Sequence, residues 1–161
     1  MIMEEKKILN YEQTKEKALR LLEFRAHSEK ELKDKLIRAG ATEENIEKAL
    51  DFCREYKFVN DELYAKRKAK DLQNLKKFGK YRIKSELSQK GIASDLIELA
   101  LLELDEEEGD RLEPLIRKKL SGNFEKKNID KCIRYFIYRG YGFGDIKSCI
   151  ENIKTEEANE L

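Results

Sequence analysis

The sequence predicts an all-α protein in which three tandem three-helix repeats stack into an elongated, curved, solenoid-like body. Composition is the first reason, because 161 residues with one proline, eight glycines and 42% charged residues are typical of helical proteins. An internal repeat is the second reason, since Gly40, Gly91 and Gly140 each stand between two amphipathic segments. Each repeat alone buries little apolar surface, so neighbouring repeats are expected to share a core and present an extended binding surface.

The three glycines mark the turn between the second and third helix of each repeat. An apolar residue stands eight and four positions before each glycine, and an isoleucine stands six positions after it. This spacing is that of apolar stripes on two helices. Glycine suits the turn because a left-handed backbone costs little energy without a Cβ. The sequence therefore predicts that the residues four positions before the glycines, Leu36, Leu87 and Phe136, are buried. The complete sets are Leu32, Leu36 and Ile46; Ile83, Leu87 and Ile97; and Cys132, Phe136 and Ile146.

The repeat divides the chain into three modules, at residues 15–59, 60–108 and 109–153. An N-terminal segment, residues 1–14, precedes the first module. The polar and acidic tail, residues 154–161, follows the third module and is expected to fray.

Each module opens with its own amphipathic helix, predicted over residues 15–24, 61–76 and 112–120. Side chains able to accept hydrogen bonds from free N–H groups stand at several predicted helix starts. These are Ser28 with Glu31, Thr42 and Asn60. Pro114 is expected in the opening turn of its helix, where the missing N–H does no harm.

The charges are nearly balanced overall but are distributed in blocks. Lys and Arg number 34 against 33 Asp and Glu, a formal net charge of +1. Residues 57–90 nevertheless sum to +7, residues 91–113 to −8 and residues 114–154 to +6. Such blocks are typical either of solvated helix surfaces or of separate charged binding faces.

The sequence offers few groups for catalysis or metal binding. His27 is the only histidine and has no partner nucleophile nearby in the sequence. The carboxylates of residues 105–108 point in different directions on a helix and form at most a weak Mg²⁺ site. Three cysteines, Cys53, Cys132 and Cys149, are widely spaced in apolar stretches and are interpreted as core residues. We expect no enzymatic activity, no metal and no cofactor.

Nothing in the sequence indicates a membrane or secretory protein. The chain has no apolar run of about 18 residues, and its first residues have no signal-peptide core. The protein is expected to be cytoplasmic.

The candidate binding surface is a basic stripe on the first helix of the second module. A step of about 100° per residue places Lys66, Lys70 and Lys77, together with Gln73, on one side of that helix. Tyr64, Leu72 and Leu75 are predicted on the opposite, apolar side. The alternative is a lysine-rich face that only aids solubility. The complete set of candidate contacts is Arg25, Lys66, Arg67, Lys70, Lys77, Lys80, Arg82, Lys84, Arg139 and Tyr141.

Four segments match short motifs of one known protein family. Residues 25–32 resemble R-x-x-S-x-x-E-L, residues 60–65 resemble D-x-x-[FY]-A, and residues 79–92 resemble G-x-x-x-I-x-x-E-L-x-x-K-G-I. Residues 138–141 are similar to an R-R-G-[FY] turn, with Tyr138 in place of the first arginine. In these motifs the sequence resembles the RecX regulatory family, and the resemblance extends from about residue 16 to residue 153.

This resemblance implies a non-enzymatic regulator that works in DNA repair, recombination and the SOS response. It implies a protein that binds in the groove of the RecA filament on single-stranded DNA and inhibits or modulates the ATPase, strand-exchange and coprotease activities of RecA. Separately from the resemblance, the chain is expected to be a monomer. Two other hypotheses about the function stay open. The chain could be a general helical nucleic-acid-binding protein that contacts phosphates through its second module, or a scaffold for another protein. Near-zero net charge argues against tight non-specific DNA binding.

Overall fold

The computed structural model describes residues 7–104 and 108–160, and this part of the chain folds into nine α-helices. They are α1 (Tyr11–Phe24), α2 (Glu29–Arg38), α3 (Glu43–Glu55), α4 (Asp61–Asn74), α5 (Lys80–Gln89), α6 (Ser94–Leu102), α7 (Glu108–Leu120), α8 (Lys126–Tyr138) and α9 (Phe143–Asn159). Extended pairing within these residues amounts to one isolated bridge, between Leu9 and Ala41. The predicted all-α repeat fold is confirmed.

The predicted turns at the three glycines are present and share one hydrogen-bond pattern. Gly40, Gly91 and Gly140 have φ angles of +100°, +77° and +102°. In each turn, the N–H of the residue after the glycine donates to the carbonyl four positions before the glycine, at 3.0, 3.2 and 3.0 Å. This bond closes the end of each preceding helix. Leu36 and Leu87 are fully buried and Phe136 is 2% exposed, so their predicted burial is confirmed.

Side-chain caps fix the starts of the helices. Ser28 and Glu31 form the predicted capping box of α2, and the Thr42 hydroxyl accepts from the N–H of Asn45 at the start of α3. The amide oxygen of Asn60 accepts from the N–H of Leu63 at 3.1 Å. Helix α1 begins at Tyr11, four residues before the predicted position, because Asn10 and Gln13 form a further capping box.

The chain divides into two compact units. Of the described residues, the first consists of residues 7–67 and 87–97. Its described core brings α1, α2 and α3 together around Ala18, Leu32, Leu36, Ile46 and Leu50. Apolar residues at i and i+4 on α2 and α3 therefore face α1, as expected for amphipathic helices.

The second unit consists of the described residues 68–86, 98–104 and 108–160. Helix α9 packs against α7 and α8, and the core contains Leu112, Ile116, Phe136, Ile146 and Ile150.

Two details of this unit differ from the sequence prediction. Helix α7 starts at Glu108, which places Pro114 inside the helix and not in its opening turn. Helix α9 continues to Asn159, so the expected fraying after Ile153 is wrong for the residues that the structure describes. Ile153 is buried, and Arg117 of α7 holds the carboxylate of Glu156 at 2.5 Å, which ties this last stretch of helix to its neighbour.

Candidate interaction surface

The first helix of the second module, α4, buries a different face from the predicted one. Ala65, Ala69 and Leu72, at i, i+4 and i+7, are buried, and Gln73 is buried beside them. Leu75, predicted on the apolar side, is 76% exposed. The placement of Gln73 in a solvent-facing stripe was therefore wrong, because two small alanines, and not Tyr64 and Leu75, define the packed face.

The basic residues of α4 accordingly differ in their exposure. Arg67 and Lys70 are exposed. Lys66 lies at the margin of the buried face, with 26% of its side chain exposed and an ion pair to Glu62 at 3.1 Å. Lys77 is exposed but is not on the helix, because α4 ends at Asn74 and the backbone at Lys77 is left-handed, with φ of 59°. The predicted stripe of three lysines on one helix is therefore wrong.

The basic residues at the start of α5 are also of two kinds. Lys84 is exposed and pairs with Glu98 at 3.1 Å, a contact between two solvated side chains. Lys80 is half-buried, and its backbone N–H donates to the carboxylate of Glu108. Burial raises the pKa of Glu108, and the Lys80 N–H and charge oppose that rise.

Arg82 is held within the protein surface and does not project freely from it. Its Nε donates to Glu86 at 2.9 Å and its Nη1 donates to the carbonyl of Tyr138 at 3.2 Å. The guanidinium lies 4.7 Å from the ring centre of Phe78 and 4.9 Å from that of Tyr138. Such stacking and pairing fix the direction of the side chain.

Tyr141 and Arg139, proposed above as surface contacts, anchor the loop that follows α4. Tyr141 is 4% exposed and its hydroxyl donates to the carbonyl of Lys77 at 2.7 Å. Burial raises the pKa of Tyr141 to about 12. Arg139 donates to the carbonyl of Lys76 and stacks on Phe78 at 4.9 Å. Tyr141 is therefore a core residue and not a recognition residue, and Arg139 is largely committed to the loop.

Two backbone hydrogen bonds complete the attachment of this loop. The N–H of Gly79 donates to the carbonyl of Arg139 at 2.9 Å, and the N–H of Tyr81 donates to that of Gly140 at 3.1 Å. The two backbone segments lie so close together that a Cβ at Gly79 would overlap the Gly140 carbonyl and lie 2.8 Å from the Tyr141 nitrogen. Glycine is required here because the two backbones are in contact.

The first unit contains the equivalent contact. The Ser28 hydroxyl, at the start of α2, donates to the carbonyl of Lys90 at 2.7 Å. A Cβ at Gly91 would lie 2.5 Å from the Cβ of Lys30. In both units, the start of a module's second helix thus rests on the glycine turn of the following module. The family-like segments 25–32, 79–92 and 138–141 supply these contacts, so their residues serve packing between repeats.

Glu31 is the centre of the contact in the first unit. Its carboxylate accepts from Arg25 at 2.9 Å, from the Tyr64 hydroxyl at 2.8 Å and from the Ser28 N–H at 3.3 Å, and Lys90 lies 3.5 Å away. Burial would raise the pKa of Glu31, but the hydrogen bonds from Arg25, Tyr64 and Ser28 outweigh it and lower the pKa to about 2. The guanidinium of Arg25, a candidate external contact, is therefore already engaged by Glu31.

His27 is buried beside this cluster, at 2% exposure. Its Nδ1 lies 2.9 Å from the carbonyl of Arg25 and its Nε2 lies 2.8 Å from Nζ of Lys35. Burial lowers the pKa of His27, and the charges of Arg25 and Lys35 act in the same direction. A neutral ring that donates from Nδ1 and accepts at Nε2 satisfies both neighbours. Nothing in the sequence next to His27, which lies two residues after Arg25 and one before the Ser28 cap, predicts that its side chain is buried.

A second basic surface lies on α8, and Tyr138 is its one member in a segment singled out from the sequence. Lys127, Lys131, Arg134 and Tyr138 are exposed and fall within about 60° of one another around the helix. The buried residues Cys132 and Phe136 lie on the opposite side. The spacing of four, three and four residues within this set is present in the sequence. The set was missed because it lies outside residues 57–90, the most basic block.

Within the residues that the structure describes, no group of three or more His, Cys, Asp or Glu side chains could hold a metal ion. Residues 105–107, which carry most of the predicted acidic cluster, lie outside this part. The three cysteines are buried and free, and burial raises the pKa of each thiol. None of the described helices has the length and apolar character needed to cross a membrane.

These features define an all-α class of protein, built from tandem three-helix modules that each have a glycine turn between the second and third helix. Residues 15–53 match the profile of the RecX first three-helix domain, and residues 60–101 match that of the RecX second three-helix domain. The chain belongs to the RecX family.

Individual relatives agree with this assignment. Regulatory protein RecX of Clostridium botulinum (strain Alaska E43) is 34% identical over 149 residues, which cover 89% of this chain and 69% of that protein. Regulatory protein RecX of Vibrio campbellii is 35% identical over 135 residues, covering 83% and 86%. The crystal structure of RecX from Lactobacillus salivarius shares the fold, with a TM-score of 0.80 at 22% identity over 90% of this chain and 97% of that one.

Proposed function

We propose that the chain is a regulator that binds the RecA filament on single-stranded DNA and lowers the ATPase activity of RecA. The observation that carries the proposal is membership of a family whose relatives are named regulatory proteins. Inhibition of strand exchange and of coprotease activity follows from the same contact, since a protein bound along the filament obstructs both. The chain itself needs no catalytic group for this role.

Exposed cations support a contact of this kind. Lys70 and Lys84 are solvated and lie in the strongly basic block at residues 57–90. A filament of protein and DNA carries phosphate and carboxylate groups, which such side chains attract over about 8–10 Å at moderate salt. Arg82, Arg139 and Tyr141 contribute by holding the loop between α4 and α5 in place.

The test is a titration of RecA ATPase on single-stranded DNA with this protein, beside binding to the same DNA without RecA. A fall in ATPase at protein concentrations that leave the free DNA largely unbound is the expected result. Suppression that occurs only where the protein coats the free DNA would favour the alternative, a general nucleic-acid-binding protein that competes with RecA for the strand. Unchanged ATPase across the titration would contradict the proposal.

A further inference from the structure

We propose that one face of the third module binds single-stranded nucleic acid directly, with its phosphates on a row of cations and its bases on exposed tyrosine rings. This strand-binding face consists of Lys127, Lys131, Arg134 and Tyr138 on α8, with Tyr135 at its edge. The inference deepens the proposed function and rests on it for its setting, because the filament contains such a strand.

The charges of the strand-binding face are uncompensated. Helix α8 carries four basic residues and a single acid, Asp130. Lys127, Lys131 and Arg134 are exposed, and across residues 7–104 and 108–160 no carboxylate forms an ion pair with them. In contrast, Arg20, Lys48 and Arg54 of the first unit all have acidic partners. An unpaired row of cations is the form of surface that phosphates neutralise with release of counterions.

Tyr138 of this face is positioned for stacking. Tyr138 is 71% exposed, and the Arg82 guanidinium lies 4.9 Å from its ring centre. Arg82 is itself held by Glu86 and by the Tyr138 carbonyl. The ring is therefore fixed from one side and presents the rest of its surface to solvent. Aromatic rings held beside a basic groove are the usual stacking platforms for unpaired bases.

A cavity of about 360 Å³ continues the surface next to Tyr135. Lys77, Lys118, Lys119 and Arg139 line it, and Phe136 contributes an apolar wall. Nζ of Lys119 lies 4.1 Å from the ring centre of Tyr135. A cavity with cations at its rim and aromatic carbon on its walls fits a phosphate attached to a flat base. An acidic peptide would satisfy the cations but would leave the solvent-facing side of the Tyr138 ring uncovered, so nucleic acid is the better match.

The geometry extends over more than one nucleotide. From Lys127 to Tyr138 the helix rises about 16 Å, at about 1.5 Å per residue. The three cations are spaced one turn apart along this length, so they can contact successive phosphates of an extended strand.

The experiment measures anisotropy of a labelled oligothymidylate of about 16 nucleotides, a length within the range of small single-strand-binding modules. The test variant is Lys127→Ala/Lys131→Ala/Arg134→Ala. The control, Lys17→Ala/Lys48→Ala/Lys154→Ala, removes the same charge from exposed positions elsewhere. Circular dichroism and thermal melting check folding of both variants.

We expect the test variant to bind at least about tenfold more weakly than the control, with a salt slope of log K shallower by about 2, as for three lost phosphate contacts. Tyr138→Ala should weaken binding at least about fivefold, whereas Tyr138→Phe, which keeps the ring, should bind like the wild type. Equal binding by the test and control variants would overturn the inference, as would tighter binding of poly-glutamate than of the oligothymidylate. If the triple variant does not fold, the two Tyr138 variants decide.

The outcome is separable from that of the proposed function. Loss of oligothymidylate binding by the test variant supports the inference whether or not the wild type lowers RecA ATPase. A wild type that leaves RecA ATPase unchanged contradicts the proposed function alone.

Discussion

Gly140 and Arg82 touch through their backbones, and this contact joins the glycine turn of the third module to the start of α5. A Cβ on Gly140 would overlap the backbone nitrogen of Arg82 and lie 2.8 Å from its Cα. Gly140 also has a φ of +102°, which L side chains rarely adopt. Position 140 thus needs glycine for two reasons: the backbone is left-handed, and Arg82 leaves no room for a Cβ.

Gly140→Ala is therefore expected to destabilise the protein by about 2–5 kcal/mol, the sum of a left-handed backbone penalty and an overpacked contact. Gly122→Ala is the matched control, because Gly122 also has a positive φ, +75°, but has open space around it. The control should lose only about 1–2 kcal/mol. Chemical denaturation gives both values, and equal losses would show that the Arg82 contact carries no weight.

Leu87→Ala should remove about 2–5 kcal/mol, since the side chain is fully buried four residues before Gly91. Leu102→Ala, at a position that is 81% exposed, should change stability by less than about 0.5 kcal/mol. Urea unfolding of the two variants measures the difference. A loss well under 1 kcal/mol at Leu87, on the scale of a surface substitution, would contradict the repeat register.

Glu31 should make stability depend on pH in the acidic range. Its pKa is about 2 in the folded protein against 4.5 for the free side chain. The unfolded chain thus binds a proton first as pH falls, and the stabilisation present above pH 4.5 is lost progressively toward pH 2. For Glu31→Gln, the stability deficit relative to the wild type should be about 3 kcal/mol at pH 7 and should shrink toward zero in acid. A deficit that is the same at pH 3 and pH 7 would refute this assignment.

His27 should lose its proton below the ordinary range for histidine. Burial lowers its pKa below 6.5, so the folded protein favours the neutral form of the ring. Its contribution to stability is present above pH 6.5 and declines as the pH falls below 6.5, because the unfolded chain then binds the extra proton. As the only histidine, its ring signals in an NMR titration are unambiguous. A midpoint at or above 6.5 would disprove the buried neutral ring.

The fold was largely predictable because local rules determine it. The glycine turns and the burial of Leu36 and Leu87 follow from an apolar spacing that recurs in each repeat, and the Ser28 to Glu31 capping box follows from residues within one turn of one another. The start of α1 was missed by four residues, although Asn10 and Gln13 carry the same capping signal as Ser28 and Glu31.

The surface was less predictable because tertiary contacts decide it. The buried side of α4 is set by Ala65 and Ala69, whose small side chains look neutral in a hydrophobic pattern. Tyr141 reads as a recognition residue beside Arg139, but its hydroxyl reaches the Lys77 carbonyl, 64 positions away in the sequence. No periodicity shows such a distant partner.

The most direct test of the proposed role is the concentration of protein that halves RecA ATPase on single-stranded DNA, measured for the wild type and for Lys70→Glu/Lys84→Glu. Both positions are exposed, so the variant should fold. Lys17→Glu/Lys48→Glu makes the same charge change on exposed residues of α1 and α3. We predict that the Lys70 and Lys84 variant needs at least about fivefold more protein than the wild type, and the control about the same amount. Inhibition by the folded Lys70 and Lys84 variant at the wild-type concentration would contradict the account.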